Sequence, residues 1–371
     1  MKIYSVAVNI HDHNTYDGKF HYQVERYSRL KHNLDPVNPH NRSPSREFFL
    51  EHFLLKYKSL QKNKLFAFTV SNLGQEFVID LFRQYFNDID FLQFKPSNLW
   101  DKLHTENYYY IDHHQSHAAY ALLTSGFTES DILAIDGRGW QFNCIFIDSK
   151  GKIHDLSSSL SIGGLWNRIA QDIGMGYLGA GKVMGLAAYG NFDSAVYEVI
   201  QEYIANPNHK LSQEAQTTIK KSLKENVAYT LQYATEECIK GIVLPLKTSD
   251  NICVAGGVAY NGYVNEMLSD FYDVHIPPAV GDEGQSIGTY MHADYVLNKN
   301  LHKTTVYAGQ DYIFQPCTAE DFLIEEKKFE DLSKEIAKEI AEGKIIGWFQ
   351  GKSESGNRAL GNRSILADPR K

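Results

Sequence analysis

Asp112-His113-His114-Gln115-Ser116-His117-Ala118-Ala119-Tyr120 is the stretch that most restricts what this chain can become. The apolar run Tyr108–Ile111 before it reads as a strand, and Asp112 is a good helix N-cap. The alanine-rich continuation to Ser125-Gly126 predicts a helix that ends on a glycine. His113 and His117 then stand at i and i+4 and project from one face about one turn apart. That spacing lets two imidazoles share one divalent metal, as in the H-E-x-x-H pattern, whose glutamate this chain lacks. A single histidine near a helix start serves as a capping or surface group, but three within five residues favour a site.

The 371 residues exceed one ordinary core and predict two or three domains, which a hydrophobic content of 43% is sufficient to fill. A net charge of -8 argues against a nucleic-acid-binding surface as the main function. Met1–Ile10 is neither a signal peptide nor a membrane span, and no later run is long and apolar enough to cross a bilayer. Cys144, Cys238, Cys253 and Cys317 form no C-x-x-C pair and no disulfide-like framework, so the chain reads as a cytoplasmic protein whose thiols mostly pack.

Strand and helix patterns alternate along the chain, as in an α/β fold. Ile3–Ile10 and Phe20–Tyr27 read as strands joined by polar turns that carry His11 and Asp12. Glu47–Leu60 and Gln75–Phe86 have helical spacing around a strand at Leu65–Val70. Ile132–Ile135 is a strand ending in Asp136-Gly137, the kind of strand end where α/β folds place their chemistry. Antiparallel strands follow at Gln141–Ile147 and Ile153–Leu160, then a helix at Leu165–Ile173. The glycine-dense stretch Gly174–Gly190 holds Lys182. Its backbone can approach a phosphate or a base, though Val183 and the glycine spacing exclude a Walker loop.

Gln213–Ile242 predicts two helices or one long one. Asn251–Ala255 is a buried strand that runs through Gly256-Gly257 towards Asn261, placing backbone N–H groups where an anion or adenosine can sit. A strand from Val274 leads to Gly281-Asp282, which gives Asp136 a second carboxylate partner. A helix at Leu332–Ala341 and a strand at Lys344–Gln350 precede a segment rich in arginine and glycine, which includes Arg358 and Arg363.

These motifs together resemble the O-carbamoyltransferase family of antibiotic, nodulation-factor and polysaccharide biosynthesis. The matching residues are His11-Asp12, Glu25-Arg26 with Arg29 and Lys31-His32, His113-His114 with His117-Ala118, and Asp136-Gly137. They continue through Lys182-Val183-Met184-Gly185-Leu186, Gly256-Gly257 with Asn261, Gly281-Asp282 with Gly284, and Arg358-Ala359-Leu360-Gly361 with Arg363-Ser364-Ile365-Leu366. The resemblance implies that residues 1–305 form an actin- and sugar-kinase-like (ASKHA) duplicated α/β domain with a cleft between its halves. In this it is similar to the threonylcarbamoyl-transfer subunit of the tRNA-modifying machinery. No internal sequence repeat accompanies the implied duplication.

Residues 306–371 are expected to be a linker and the truncated start of a domain resembling the YrdC type, which makes carbamoyl-adenylate from ATP and carbamoyl phosphate. Lys352, Ser353, Ser355 and Asn357 stand there in place of the family's usual arginine, methionine, aromatic and proline. A truncated donor-forming domain predicts a chain that transfers from preformed carbamoyl-adenylate but does not make it.

The family further implies that His113, His117, Asp136 and Asp282 bind a divalent metal, iron in the first place, while donor chemistry alone admits iron, zinc or manganese. Gly137, Lys182, Gly256, Gly257 and Asn261 would hold the adenylate derived from ATP. His11 or His114 would accept a proton from the acceptor hydroxyl, and Arg358 and Arg363 would grip carbamoyl phosphate. The expected activity is carbamoyl transfer from carbamoyl phosphate, through carbamoyl-adenylate, to a hydroxyl of a sugar or natural product. The alternative is a nucleotide-binding or ATPase module of the same fold that acts through a partner. A metal-dependent hydrolase is disfavoured by the missing glutamate.

Overall fold

The computed structural model describes residues 2–8, 14–23, 64–70, 93–106, 108–137, 141–158, 162–176, 178–205, 212–301, 305–309, 328–356 and 358–370. The expected helices at Glu47–Leu60 and Gln75–Phe86, and His11, lie outside the described residues. The chain divides into two units, Met1–Thr304 and Thr305–Lys371.

The first unit contains two sheets. One is made of β1 (Lys2–Val8), β2 (Asn14–Tyr16), β3 (His21–Gln23), β4 (Lys64–Val70), β5 (Leu103–His104) and β6 (Tyr108–Tyr110), in the order β3-β2-β1-β4-β6-β5. The other is made of β7 (Asp131–Ile135), β8 (Cys144–Ile147), β9 (Ile153–Asp155), β10 (Asn251–Ala255) and β11 (Asp273–His275), in the order β11-β10-β7-β8-β9. In the first sheet β1 pairs antiparallel with β2 and parallel with β4, and β4 is parallel to β6. In the second sheet β7 pairs antiparallel with β8 and parallel with β10, and β10 is parallel to β11. Apart from the edge strand β5, the two sheets therefore have one strand order and one set of directions. The duplication is present in topology where the sequence shows no repeat.

Two helices join the sheets. α1 (His113–Ser125) packs on β7 and β10, and the helix Gln285–Asn298, here α8, packs on β1, β4 and α1. They cross closely at Gly288, where a Cβ would collide with the Ser116 carbonyl. The Ser116 hydroxyl reaches the Gln285 carbonyl at 2.6 Å and the Thr289 hydroxyl at 3.0 Å.

A strand turns alternate side chains to opposite faces, and β7 uses both. Ile132 and Ala134 pack with Ala118 and Ala121 of α1, whereas Leu133 and Ile135 join the core on the far side. That far layer contains α2 (Ile162–Asp172), α3 (Ala180–Ala187), α4 (Ser194–Ala205), α5 (Gln213–Lys221), α6 (Lys224–Val243) and α7 (Gly262–Ser269). Burial on both faces explains the unbroken apolar run of β7. The Gln213–Ile242 pattern resolves into two helices, α5 and α6, interrupted at Ser222-Leu223. The glycine-dense stretch begins with turns, with Gly174, Gly176 and Leu178 at φ 80, 87 and 59°, and continues into α3.

In the second unit, α9 (Phe329–Ala341) precedes an antiparallel pair, β12 (Ile346–Phe349) and β13 (Arg363–Leu366). Among the described residues, no helix is long and apolar enough to cross a membrane.

Candidate metal centre

The first turn of α1 is fixed by a capping box. Asp112 Oδ1 accepts from the His114 N–H at 2.8 Å, and Gln115 Oε1 accepts from the Asp112 N–H at 2.9 Å. The amide nitrogen of Gln115 lies 3.0 Å from each of the carbonyls of Asn98, Leu99 and Asp101, tying the helix start to the loop before β5. His113 and His117 are thereby presented, buried, towards the ends of β7 and β10.

Asp136 is the residue immediately after β7, and its Oδ1 accepts from the Gly137 N–H at 2.6 Å. Asp282 lies in a single 3₁₀ turn, Asp282–Gly284, that leads into α8. His113 Nε2 is 3.4 Å from Asp136 Oδ2 and 3.2 Å from Asp282 Oδ1; His117 Nε2 is 3.1 Å and 3.6 Å from the same two atoms. One donor atom from each of the four residues lies within 4.8 Å of the others.

Backbone approaches that only glycine permits surround this cluster. Gly256 has φ 88°, and a Cβ there would strike the Ile135 carbonyl. A Cβ on Gly257 would stand 3.0 Å from Asp136 Oδ1, and one on Gly163 would stand 2.7 Å from the Gly137 nitrogen.

Burial would pull the His113 ring down, but the Asp282 charge and the hydrogen bonds of Asp136 and Asp282 outweigh it and hold the pKa up at about 10. Burial likewise opposes the charge on His117, and its hydrogen bonds to Asp136 and Asp282 prevail, raising it. For Asp136, burial pushes up while the hydrogen bonds from His113 and His117 pull harder, holding the carboxyl well below the usual carboxylate range. Two imidazole nitrogens and two carboxylate oxygens converging in a buried space fit a divalent cation, whose charge balances the two carboxylates.

His114 is fully buried, with its ring centroid 5.2 Å from that of His113. Its Nε2 donates to the Asn143 carbonyl at 2.9 Å, and its Nδ1 has no hydrogen-bond partner among the described residues. Burial, reinforced by His113 and His117, pushes its pKa down to about 3. Lys182 lies on the exposed side of α3, with its ammonium 3.5 Å from the Met175 carbonyl. The Asn261 side chain accepts from the Val264 N–H at 3.2 Å, capping α7, and donates to Gln232 Oε1 at 2.9 Å.

In the second unit, Arg363 Nε donates to the fully buried Glu354 at 2.6 Å, and its Nη2 donates to the Gly356 carbonyl at 2.9 Å. Arg358 lies exposed on the preceding loop. The structure thus gathers His113, His117, Asp136 and Asp282 with Gly137, Gly256 and Gly257. It gives Lys182, Asn261 and Arg363 the other partners just described. Sequence reasoning missed Gln115, Gly163 and Asn14. Of these Gly163, beside Gly164 and ahead of an apolar helix pattern, and Gln115, three residues after the N-cap Asp112, carried a local signal.

Two sheets of one strand order, joined by buried helices with the cluster at the ends of their strands, define an actin- and sugar-kinase-like duplicated α/β protein. The chain belongs to the carbamoyltransferase family: the family models for the carbamoyltransferase N-terminus and C-terminus match residues 45–291 and 337–371. It is similar to nodulation protein NolNO of Sinorhizobium fredii, at 31% identity over 296 residues that span 70% of this chain and 43% of that protein. The 3'-hydroxymethylcephem-O-carbamoyltransferase of Streptomyces clavuligerus is 24% identical over 214 residues, 51% of this chain and 39% of that protein. Among solved structures, the activator of the 2-hydroxyisocaproyl-CoA dehydratase from Clostridium difficile matches with a TM-score of 0.42 at 11% identity, covering 79% of this chain and 94% of that one. The chain spans about half the length of the curated relatives it matches.

Proposed function

We propose that this chain carries the transfer site of an O-carbamoyltransferase. The donor is carbamoyl-adenylate, formed from ATP and carbamoyl phosphate, and the acceptor is a hydroxyl of a sugar or other small molecule. The observation that carries this reading is the convergence of His113, His117, Asp136 and Asp282 beside the Gly256-Gly257 turn, in a member of the carbamoyltransferase family. A relative named for a hydroxymethyl acceptor supports the hydroxyl class.

A divalent metal held by the four residues, iron by preference with zinc or manganese accepted by the same donors, would stabilise negative charge on the phosphate side of the donor. The chain's own residues do the rest. The strand-end turns at Gly137 and Gly256-Gly257 let backbone approach the adenylate closely, as an anion at such a turn requires. The acceptor oxygen bonds to the carbamoyl carbon, the bond from that carbon to the phosphate oxygen breaks, and AMP leaves with the electron pair.

His11 or His114 takes the hydroxyl proton. His114 is neutral, with its Nε2 hydrogen engaged by Asn143 and its Nδ1 lone pair retained, but the depression to about 3 makes it a weak base for this step. Arg358 stands on the loop for a phosphate of the donor precursor, whereas Arg363 orders that loop through Glu354.

The test incubates metal-loaded protein with a panel of hydroxyl acceptors and enzymatically generated carbamoyl-adenylate, and follows carbamoylated product by mass spectrometry. Product from the wild type, and its loss in His117→Ala, is expected. No product from any acceptor with a fully loaded site would overturn the reading.

A further inference from the structure

We propose that Asn14 is a positioning residue for Asp282, clamping the turn that carries this ligand to the first sheet; the proposal rests on the metal reading above. Asn14 opens β2 and is completely buried. Its Nδ2 donates to the Asp282 carbonyl at 2.8 Å, and its Oδ1 accepts from the Ser286 N–H at 2.9 Å. Both partners are main-chain groups with a single role, one an acceptor and one a donor, so the orientation of the amide is fixed by chemistry. One side chain therefore spans the whole 3₁₀ turn and the first residues of α8.

The other three donors are held within their own elements. His113 and His117 sit on a helix with a capping box, and Asp136 follows β7 directly with its Oδ1 bound to the next N–H. Asp282 sits in a single turn, closed by the Gly284 N–H on the Gly281 carbonyl at 3.0 Å and by the Gln285 N–H on the Asp282 carbonyl. Within the second half, Glu283 takes the Tyr260 hydroxyl and the Gly281 N–H, and Gln285 Nε2 reaches the His113 carbonyl at 3.1 Å.

Asn14 supplies the hold from the opposite sheet, on the residue that bears the ligand. Its removal takes away the hold of the first sheet on the Asp282 carbonyl, leaving the Gln285 N–H of its own turn on that oxygen, and lets the carboxylate shift from the position that His113 and His117 face. Ser5 also reaches this region, with its hydroxyl on the Ser286 carbonyl at 2.6 Å and on the Tyr16 carbonyl at 3.0 Å, but it does not touch Asp282. Ser5 is therefore the control for loss of a buried hydrogen bond as such.

The experiment titrates Co(II) into the metal-free full chain, following d–d absorption for affinity and geometry, and measures the melting temperature of the metal-free form. Asn14→Asp keeps the shape and the acceptor but sets an oxygen against the Asp282 carbonyl. It is expected to weaken Co(II) binding by on the order of 10–100-fold and to alter the d–d spectrum. Ser5→Ala is expected to lower the melting temperature and leave affinity and spectrum unchanged. If Asn14→Asp does not fold, Asn14→Ala, which removes these two bonds without adding a charge, carries the same expectation. Wild-type affinity and spectrum in the folded Asn14 variant would overturn the role of Asn14 while leaving the metal centre standing. Failure of the wild type to bind Co(II) would overturn the metal reading, and the Asn14 assignment with it.

Discussion

His117 Nε2 stands 3.1 Å from Asp136 Oδ2, so the proton of that ion pair and a cation at this site would compete for the same ring lone pair. On the proposed metal reading, uptake at neutral pH is expected to displace protons, because the two carboxylates raise the pKa of both His113 and His117. At least one proton per chain should be released as Zn(II) is added in weak buffer at pH 7, and affinity should rise with pH towards the His113 value. Uptake without proton release would show that the rings are neutral beforehand. The raised His113 pKa also stabilises the metal-free fold below the ordinary histidine range, a contribution lost as pH climbs through about 10. The depressed Asp136 carboxyl contributes above the ordinary carboxylate range, and that contribution disappears as pH falls well below it.

The two neighbouring glycines separate stability from ligand placement. Gly256→Ala forces a Cβ onto the Ile135 backbone at a left-handed φ of 88°. This should cost on the order of 3 kcal/mol, seen as a lower urea midpoint. Gly257→Ala sets its Cβ 3.0 Å from Asp136 Oδ1 and has only that side chain to displace. It should leave the midpoint nearly unchanged while weakening metal binding by roughly tenfold in chelator competition. The reverse ranking would mean that the strand-end turn yields more easily than the carboxylate.

Gln115 is expected to be among the most sensitive polar positions in the first unit. Its amide nitrogen serves three carbonyls and its oxygen caps α1, all from a fully buried side chain. Gln115→Ala leaves those groups without this partner and should cost on the order of 3 kcal/mol in chemical denaturation. A loss comparable to that of an exposed glutamine would show that water replaces the amide at no cost.

His292 sets part of the acid limit of stability. Its Nε2 donates to the Leu99 carbonyl at 2.7 Å, its Nδ1 accepts from the Tyr109 hydroxyl at 2.9 Å, and burial pushes its pKa down to about 4. A histidine depressed in the folded state contributes stability above its unfolded value near 6.5, and loses it as pH falls towards about 4. The loss should approach about 3 kcal/mol. His21, pushed down to about 4 by burial, steepens the same limb. His292→Gln should flatten the fall in melting temperature between pH 6.5 and pH 4. An unchanged slope would place the acid sensitivity elsewhere.

Each of the four donors leaves a local mark, while their joining in one site was implied by the family resemblance. His113 and His117 share a helical face, Asp136 ends an apolar strand, and Asp282 stands between a strand and a small-residue helix start. The duplication was not legible, because strand order depends on which faces are buried, and β1 and β7 satisfy that requirement with unrelated residues. Asn14 was hidden for a different reason. A buried asparagine at a strand start looks like any turn residue until the chain brings Asp282 and Ser286 against it. Lys182 lies exposed on α3 with its ammonium near the Met175 carbonyl, a placement that the glycines around it do not announce.

The spread of the donors along the chain sets an order of events during translation. A ribosome-bound chain holds His113, His117 and Asp136 while β10, Gly256 and the Asp282 turn are still unmade. A cation met at that stage would find an open, incomplete nest from which solvent can take it again. A cation would be retained only once α8 has packed against α1 and brought the last carboxylate with it. On the proposed metal reading, selection of the cation would be a property of the finished unit rather than of the histidine motif that announces it.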